Sequence, residues 1–312
     1  MNKMPILIDC DPGVDDTLAI YLALSHKEFD VKAITVVGGN VSLDKTASNA
    51  LNLVDYLGFD VKVAKGASGP LMRSLTIADY VHGESGIGDV VLPASKKSFY
   101  EKDAVDTIKE EVENANGELH IIALGPLTNI AVALLKYPEI KDKIKHITLM
   151  GGAARGGNTT PAAEFNIYVD PEAAKKVFES GIPLTMVGLD ATHKSYLTGE
   201  EVDNLAKNFK SDKVKTAIKL LKYTEELCKN YGHDGIVMHD PTAVAAVMDP
   251  SVIMCNKYHV DIETVGEVTR GKTVVDMDDV KKLDKNVNVA LDTDRQKFVK
   301  MMENMLNYYE KM

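Results

Sequence analysis

Residues 5–16 read Pro5-Ile6-Leu7-Ile8-Asp9-Cys10-Asp11-Pro12-Gly13-Val14-Asp15-Asp16, an apolar run that ends in a burst of carboxylates. A short continuous apolar run, rather than an alternating one, fits a strand buried on both faces of a parallel sheet. Pro12 and Gly13 turn the chain, and Asp16–Ser25 follows as a helix with Leu18, Leu22 and neighbouring alanines on one face. The same alternation recurs downstream. Val31–Val37 reads as a strand before the helical Leu43–Leu57, and Val61–Ala64 as a third strand. Leu119–Leu124 and His146–Met150 are strands separated by the helical Leu127–Tyr137. Asp170–Ser180 is a helix with Pro171 in its first turn, where proline is tolerated, and Pro183–Gly188 is a further strand. Thr198–Asn230 reads as entirely helical. Asp292–Tyr309 reads as an amphipathic closing helix, with Phe298, Met302, Met305 and Tyr309 near helical spacing. The zone Ile262–Ala290 reads as strands and turns. With no internal repeat, linker or low-complexity segment, residues 1–312 form one domain: an α/β fold with an open, mostly parallel, Rossmann-like sheet flanked by helices. Ligands of such sheets sit outside the carboxyl ends of the strands. The clusters Asp9–Asp16, Gly38–Asn40, Leu124–Asn129 and Gly151–Asn166 each follow a strand, so one rim is expected to collect them.

The net charge of −10 disfavours nucleic acid and anionic membranes as partners, and places no such penalty on a small neutral substrate. The three cysteines, Cys10, Cys228 and Cys255, are odd in number and fit no zinc spacing. They read as buried free thiols in a reducing compartment. The apolar run Ile6–Ile8 is too short for a signal peptide and meets Asp9 at once. No stretch approaches the roughly 20 apolar residues of a membrane helix. A cytoplasmic protein is expected.

Four carboxylates, Asp9, Asp11, Asp15 and Asp16, lie at the end of the first strand. Like charges this close raise one another's pKa, and holding several ionised requires a cation. An all-oxygen, multi-carboxylate set favours Ca²⁺ or Mg²⁺ over zinc. Capping of the following helix accounts for one of these aspartates, not for four. A calcium loop of EF-hand type lacks its ligand spacing and closing Glu. An Asp-x-Asp phosphatase nucleophile fits poorly, because no basic residue follows to hold a phosphate.

Asp9-Cys10-Asp11-Pro12-Gly13-Val14-Asp15-Asp16 resembles the N-terminal signature of the inosine–uridine nucleoside hydrolase family. The resemblance continues through Val37-Gly38-Gly39-Asn40, His82-Gly83, Gly125-Pro126-Leu127-Thr128-Asn129, Met150-Gly151-Gly152, Glu164-Phe165-Asn166, Asp170-Pro171-Glu172-Ala173, His239-Asp240-Pro241 and Thr269-Arg270-Gly271, in the same order. It implies a Ca²⁺-dependent, inverting hydrolase of the N-glycosidic bond of ribonucleosides of the inosine and uridine type. Such an enzyme serves purine and pyrimidine salvage and nucleoside catabolism, commonly as a homo-oligomer, dimer or tetramer. The reaction needs an activated water, support for an oxocarbenium-like ribosyl centre and a donor to the departing base.

The family resemblance implies a role for each matching residue. Asp11 takes the proton from the metal-bound water and also ligates the ion. Asp16 is the bidentate ligand, Asp240 completes the carboxylates, and Leu124 gives its backbone carbonyl, a role indifferent to side chain. Asp15 holds the 2′- and 3′-hydroxyls, and Asp9 supports the cluster. Glu164 and Asn166, two apart on one side of an extended segment, contact the sugar. Asn158 does so near the 5′-hydroxyl, Asn40 is a further ribose-side ligand, and Met150 lines the sugar pocket. His239 is the general acid or hydrogen-bond donor to the leaving base, a role that suits a group titrating near neutral pH. His82, and Tyr231 with His233 in a lid-like loop, are the candidates to face the base. The histidines at 26, 120, 146, 193 and 259 show no supporting constellation. Cys10 stands where many members of the family carry Thr or another small residue, and reads as packing. Two alternatives stand beside this reading. One is a non-catalytic Ca²⁺ or nucleoside-binding protein on the same fold, against which the presence of both Asp11 and His239 argues. The other is a hydrolase of a modified or cofactor-derived N-riboside.

Overall fold

Ile6, Leu7 and Ile8 are fully buried, and they sit in β1 (Met4–Cys10), the strand about which the sheet is organised. The computed structural model describes residues 3–312. After β1 the chain forms α1 (Val14–Ser25), β2 (Phe29–Val36), α2 (Leu43–Leu57) and β3 (Lys62–Lys65). It continues through α3 (Asp79–His82), α4 (Ala104–Asn114), β4 (Leu119–Ala123), α5 (Thr128–Lys136) and β5 (Ile144–Met150). Next come α6 (Phe165–Val169), α7 (Pro171–Phe178), β6 (Leu184–Val187), α8 (Leu189–Thr192) and β7 (Tyr196–Leu197). The last part holds α9 (Gly199–Ala206), α10 (Asp212–Asn230), β8 (Ile236–Val237), α11 (His239–Met248), β9 (Ile253–Ile262), β10 (Thr273–Asp276), β11 (Val287–Thr293) and α12 (Arg295–Glu310).

Nine strands form one sheet in the order β10-β9-β11-β6-β5-β4-β1-β2-β3. All pairs from β11 to β3 are parallel, and β9 and β10 join antiparallel at one end. The chain lays β2 and β3 on one side of β1, then returns to lay β4, β5 and β6 on the other. The strand order therefore reverses between β1 and β4, and a crevice opens at their carboxyl ends. Alternate residues of β1 feed two cores. Ile6, Ile8 and Cys10 pack with α1, α2 and the C-terminal helices, while Leu7 packs with α4, α5 and α7. This is why the strand is apolar without alternation. Among the described residues no helix is long and apolar enough to cross a membrane.

Three expectations need correction. The stretch Thr198–Asn230 is two helices, not one: α9 opens with a Thr198/Glu201 capping box, and α10 begins after Ser211. The Glu310 carboxylate accepts the Lys210 and Ser211 N–H groups and pins the break between them. The closing helix begins at Arg295, because Asp292 and Thr293 belong to β11 and Asp294 caps α12. Finally, Cys10 and Cys228 are buried but Cys255 is exposed. It lies on β9, most of whose middle residues face solvent. Strand β9 itself and helix α4 go beyond the sequence reading, since both carry many polar residues on an outward face.

Candidate active site

The carboxylates that crowd residues 9–16 converge at the switch between β1 and β4. Asp9, fully buried in β1, accepts the Thr35 hydroxyl (2.5 Å) and the Asn129 side-chain amide (2.9 Å) on Oδ2. Asp11 is also fully buried. Its Oδ2 accepts the Asn40 backbone N–H at 2.7 Å, while its Oδ1 has no protein partner. Main chain walls this carboxylate on two sides, since a Cβ added to Gly39 or Gly125 would overlap it. Asp16 accepts the N–H groups of Asp11 (3.1 Å) and Gly13 (3.0 Å), which caps α1, and also the Asn40 side-chain amide (3.0 Å). Capping therefore does explain one aspartate of the cluster. Asp15 caps a distant helix instead: its Oδ2 accepts the N–H groups of His239 (2.8 Å) and Asp240 (2.9 Å) at the start of α11. Its Oδ1 is buried and unpartnered.

Burial dominates the electrostatics. It pushes the Asp9 carboxyl up to about 7 against the hydrogen bonds of Thr35 and Asn129. It does the same for Asp15, to about 7, with the Asp16 charge adding to the rise. Asp11 is driven well above the carboxylate range by burial and then by Asp16. Asp240 is driven likewise by burial and then by Asp16, Asp15 and Asp11. Holding such a set ionised requires an added positive charge.

Among the described residues, no group of three or more Asp, Glu, His or Cys side chains is placed so as to hold a metal ion. The donor chemistry nevertheless fits a hard cation. Asp11 presents an orphaned buried oxygen, the Asp16 charge pushes the Asp240 carboxyl up, and the set is all oxygen. The Leu124 carbonyl, just past β4, accepts the Asn166 amide at 2.7 Å and retains a second lone pair.

Above this floor lies a cavity of roughly 480 Å³. Asp15, Asn40, His82, Leu124, Met150, Asn158, Glu164, Asn166, Tyr231, His239 and Asp240 all line it. Asp11 and Asp16 lie beneath, joined to it through Asn40. Glu164 and Asn166 are not on an extended segment: Glu164 is the N-cap of α6 and Asn166 lies in its first turn. The Glu164 carboxylate accepts the N–H groups of Gly152 (2.9 Å), Asn166 (3.0 Å) and Ile167 (3.2 Å). Asn166 ties two strand ends together by donating to the carbonyls of Leu124 and Met150 (3.2 Å). Asn40 spends its side-chain amide on the Asp11 carbonyl and the Asp16 carboxylate, so it braces the floor as well as lining the cavity. Asn158 is exposed and accepts the Phe165 N–H.

Histidines occupy the opposite side. His82 accepts the Val14 N–H on Nδ1 at 3.2 Å. His239 pairs its Nδ1 with the Thr192 hydroxyl at 2.8 Å. Burial lowers His82 to about 4 and His239 to about 3. Burial thus favours the neutral imidazole at His239, against the expectation of a group titrating near neutrality. Sequence reasoning missed several neighbours. His193 lines the cavity and meets the His239 ring edge-on, with centroids 5.6 Å apart. It also lies 5.3 Å from the His233 ring. No local motif marked it: His193 follows the short helix α8, and only the packing of α8 against α11 brings it to the cavity. Tyr223 and Leu227 line the cavity from α10, and their spacing of four with Tyr231, already a candidate, was a legible helical stripe.

The chain is similar to known proteins over nearly its whole length. The sequence profile described as "Inosine-uridine preferring nucleoside hydrolase" matches residues 6–300. The chain is 43% identical to the pyrimidine-specific ribonucleoside hydrolase RihA of Citrobacter koseri over 310 residues, which covers 98% of this chain and 99% of that protein. Among solved structures, a purine-preferring ribonucleoside hydrolase from Gardnerella vaginalis superposes with a TM-score of 0.92 at 35% identity, covering 99% of this chain and all of the other. The plant nucleoside hydrolase PpNRh1 does so with a TM-score of 0.90 at 34% identity, covering 97% and 98%. A chain whose carboxylates and histidines meet at the β1/β4 switch, and whose profile match spans nearly its whole length, belongs to the inosine-uridine preferring nucleoside hydrolase family and is an N-glycosidase.

Proposed function

We propose that the enzyme hydrolyses ribonucleosides to free base and ribose, with Asp11 as general base, His239 as donor to the departing base and Ca²⁺ as the resident ion. The observation that carries this reading is the Asp11 carboxylate: one oxygen is pinned by Asn40 N–H and the other is buried with no partner. A carboxylate oriented in this way is ready to accept a proton from water.

Asp11, Asp16, Asp240 and the Leu124 carbonyl are the groups that would hold the ion. When bound, Ca²⁺ supplies the positive charge the cluster lacks and makes adjacent water more acidic. The chain's own residues do the rest. The free Oδ1 of Asp15 accepts from the ribose diol, and its other oxygen keeps α11 in register with the floor. Glu164, Asn158 and Asn166 surround the sugar from the α6 side, and Met150 closes the pocket beneath it. His239 gives a hydrogen bond to the base as the glycosidic bond breaks, so that negative charge on the base is offset. His82 and Tyr231 flank the base. No side chain is needed as a covalent nucleophile, so water attacks directly and the anomeric centre inverts.

We read the preferred base as a pyrimidine. The pyrimidine-specific relative stands at 43% identity and the purine-preferring structure at 35%. Incubation with uridine, cytidine and inosine, with product separation, tests both parts. Free base and ribose should appear without phosphate, fastest from a pyrimidine riboside. A requirement for phosphate would make the enzyme a phosphorylase and overturn the mechanism, and faster inosine turnover would overturn the base preference alone.

A further inference from the structure

We infer that Thr192 is a positioning residue that holds His239 as its Nε2–H tautomer, so that the nitrogen left for the cavity is a donor. The inference rests on the reading of His239 as the residue facing the base. Thr192 is fully buried at the end of α8. Its hydroxyl lies 2.8 Å from His239 Nδ1. Either atom can donate in principle, and the surroundings decide which one does. A threonine in a helix commonly donates to the carbonyl four residues back, here that of Gly188. That carbonyl already accepts two N–H groups, from Ala191 and Thr192, each at 3.1 Å. A carbonyl oxygen has two lone pairs, so the Thr192 hydroxyl proton goes to His239 Nδ1. In a neutral imidazole one nitrogen accepts and the other donates. With Nδ1 accepting, Nε2 carries the proton.

A second contact from α8 acts on the same ring. His193 meets His239 edge-on, so adjacent residues fix both the tautomer and the tilt of the donor. His82 provides an internal parallel. There the partner of Nδ1 is the Val14 backbone N–H, which can only donate, so His82 also keeps its proton on Nε2. Both rings line one cavity. Each presents a donor, and a base with carbonyl or ring-nitrogen acceptors on the facing edge satisfies them.

The test compares Thr192→Val with Thr192→Ser on two substrates: uridine, whose leaving base needs a donor, and 4-nitrophenyl riboside, whose phenolate leaves unaided. Thr192→Val should lower kcat on uridine by roughly ten- to a hundredfold, the usual cost of removing a histidine's orienting partner. KM should change little and the loss should vanish on the nitrophenyl riboside. Thr192→Ser, which keeps the hydroxyl, should restore uridine turnover. In the unmodified enzyme, ¹⁵N-labelled histidine spectra should show His239 Nδ1 unprotonated, a result that does not depend on the variant folding. An equal loss on both substrates, failure of serine to rescue, or a proton on Nδ1 overturns the inference. His239→Ala distinguishes the underlying reading: undiminished uridine turnover in that variant removes His239 from the reaction and the role of Thr192 with it.

Discussion

The acidic floor and the base-facing rim are built in opposite ways. On the floor, Asp9, Asp11, Asp15 and Asp16 are fixed by backbone N–H groups, by Asn40 and by the sheet itself. The rim is made from side chains of α3, α10 and the loop after it, and Tyr80 and Tyr231 there are 63% and 60% exposed. The contrast separates two tasks. In the proposed function the ribosyl end, common to every substrate, is held by buried groups anchored on the main chain, whereas the base end, which varies between substrates, is held partly by exposed side chains. A relative can thus differ in base preference while keeping the fold.

This contrast can be broken by experiment. Asp11→Ala should cost kcat roughly 10²- to 10⁴-fold, the range for loss of a positioned base, and equally for uridine, cytidine and inosine. Stopped product assays with circular dichroism to confirm folding would check this, and a loss confined to one base would erase the distinction between floor and rim. Removing the ion with a chelator should abolish turnover on all three and lower Tm, and added Ca²⁺ should restore both. At 100-fold over its Kd the ion stabilises the fold by about 2.7 kcal/mol. Calorimetry showing no Tm change on chelation and re-addition would leave the cluster without its cation. Gly125→Ala, which forces a methyl against the Asp11 carboxylate, should reduce kcat about a hundredfold, the scale of a 1 Å misplacement, again for every base. At the rim, Tyr231→Ala should act mainly on KM, by about ten- to a hundredfold if the ring stacks on the base at about 1–3 kcal/mol, and unequally between uridine and inosine. Equal effects on all substrates would show that the loop serves closure rather than selection.

The same contrast decides what was legible in the sequence. The strand ending at Cys10 and its carboxylates could be read, because buried parallel strands and clustered like charges leave few physical alternatives, while their meeting with Asp240 was legible only through the family resemblance. That the polar clusters share one rim followed from strand–helix alternation, whereas the strand order and the β1/β4 switch did not. Harder to read were elements that answer to tertiary contacts. The break between α9 and α10 depends on Glu310, a hundred positions away. The cap made by Glu164 turned an apparent strand into a helix start. His193 and Thr192 have no local motif, and their importance appears only when α8 is set beside α11.

One carboxylate also sets a timetable. Asp15 joins residues 224 and 225 positions further along the chain, so the first helix and the eleventh share a single anchor. Any chain that lacks the start of α11 leaves the Asp15 carboxylate without these two N–H partners. Domain-sized chains acquire such long-range contacts late. A chain cut before His239 would keep six of the nine strands of the sheet yet lack the N–H groups that hold Asp15.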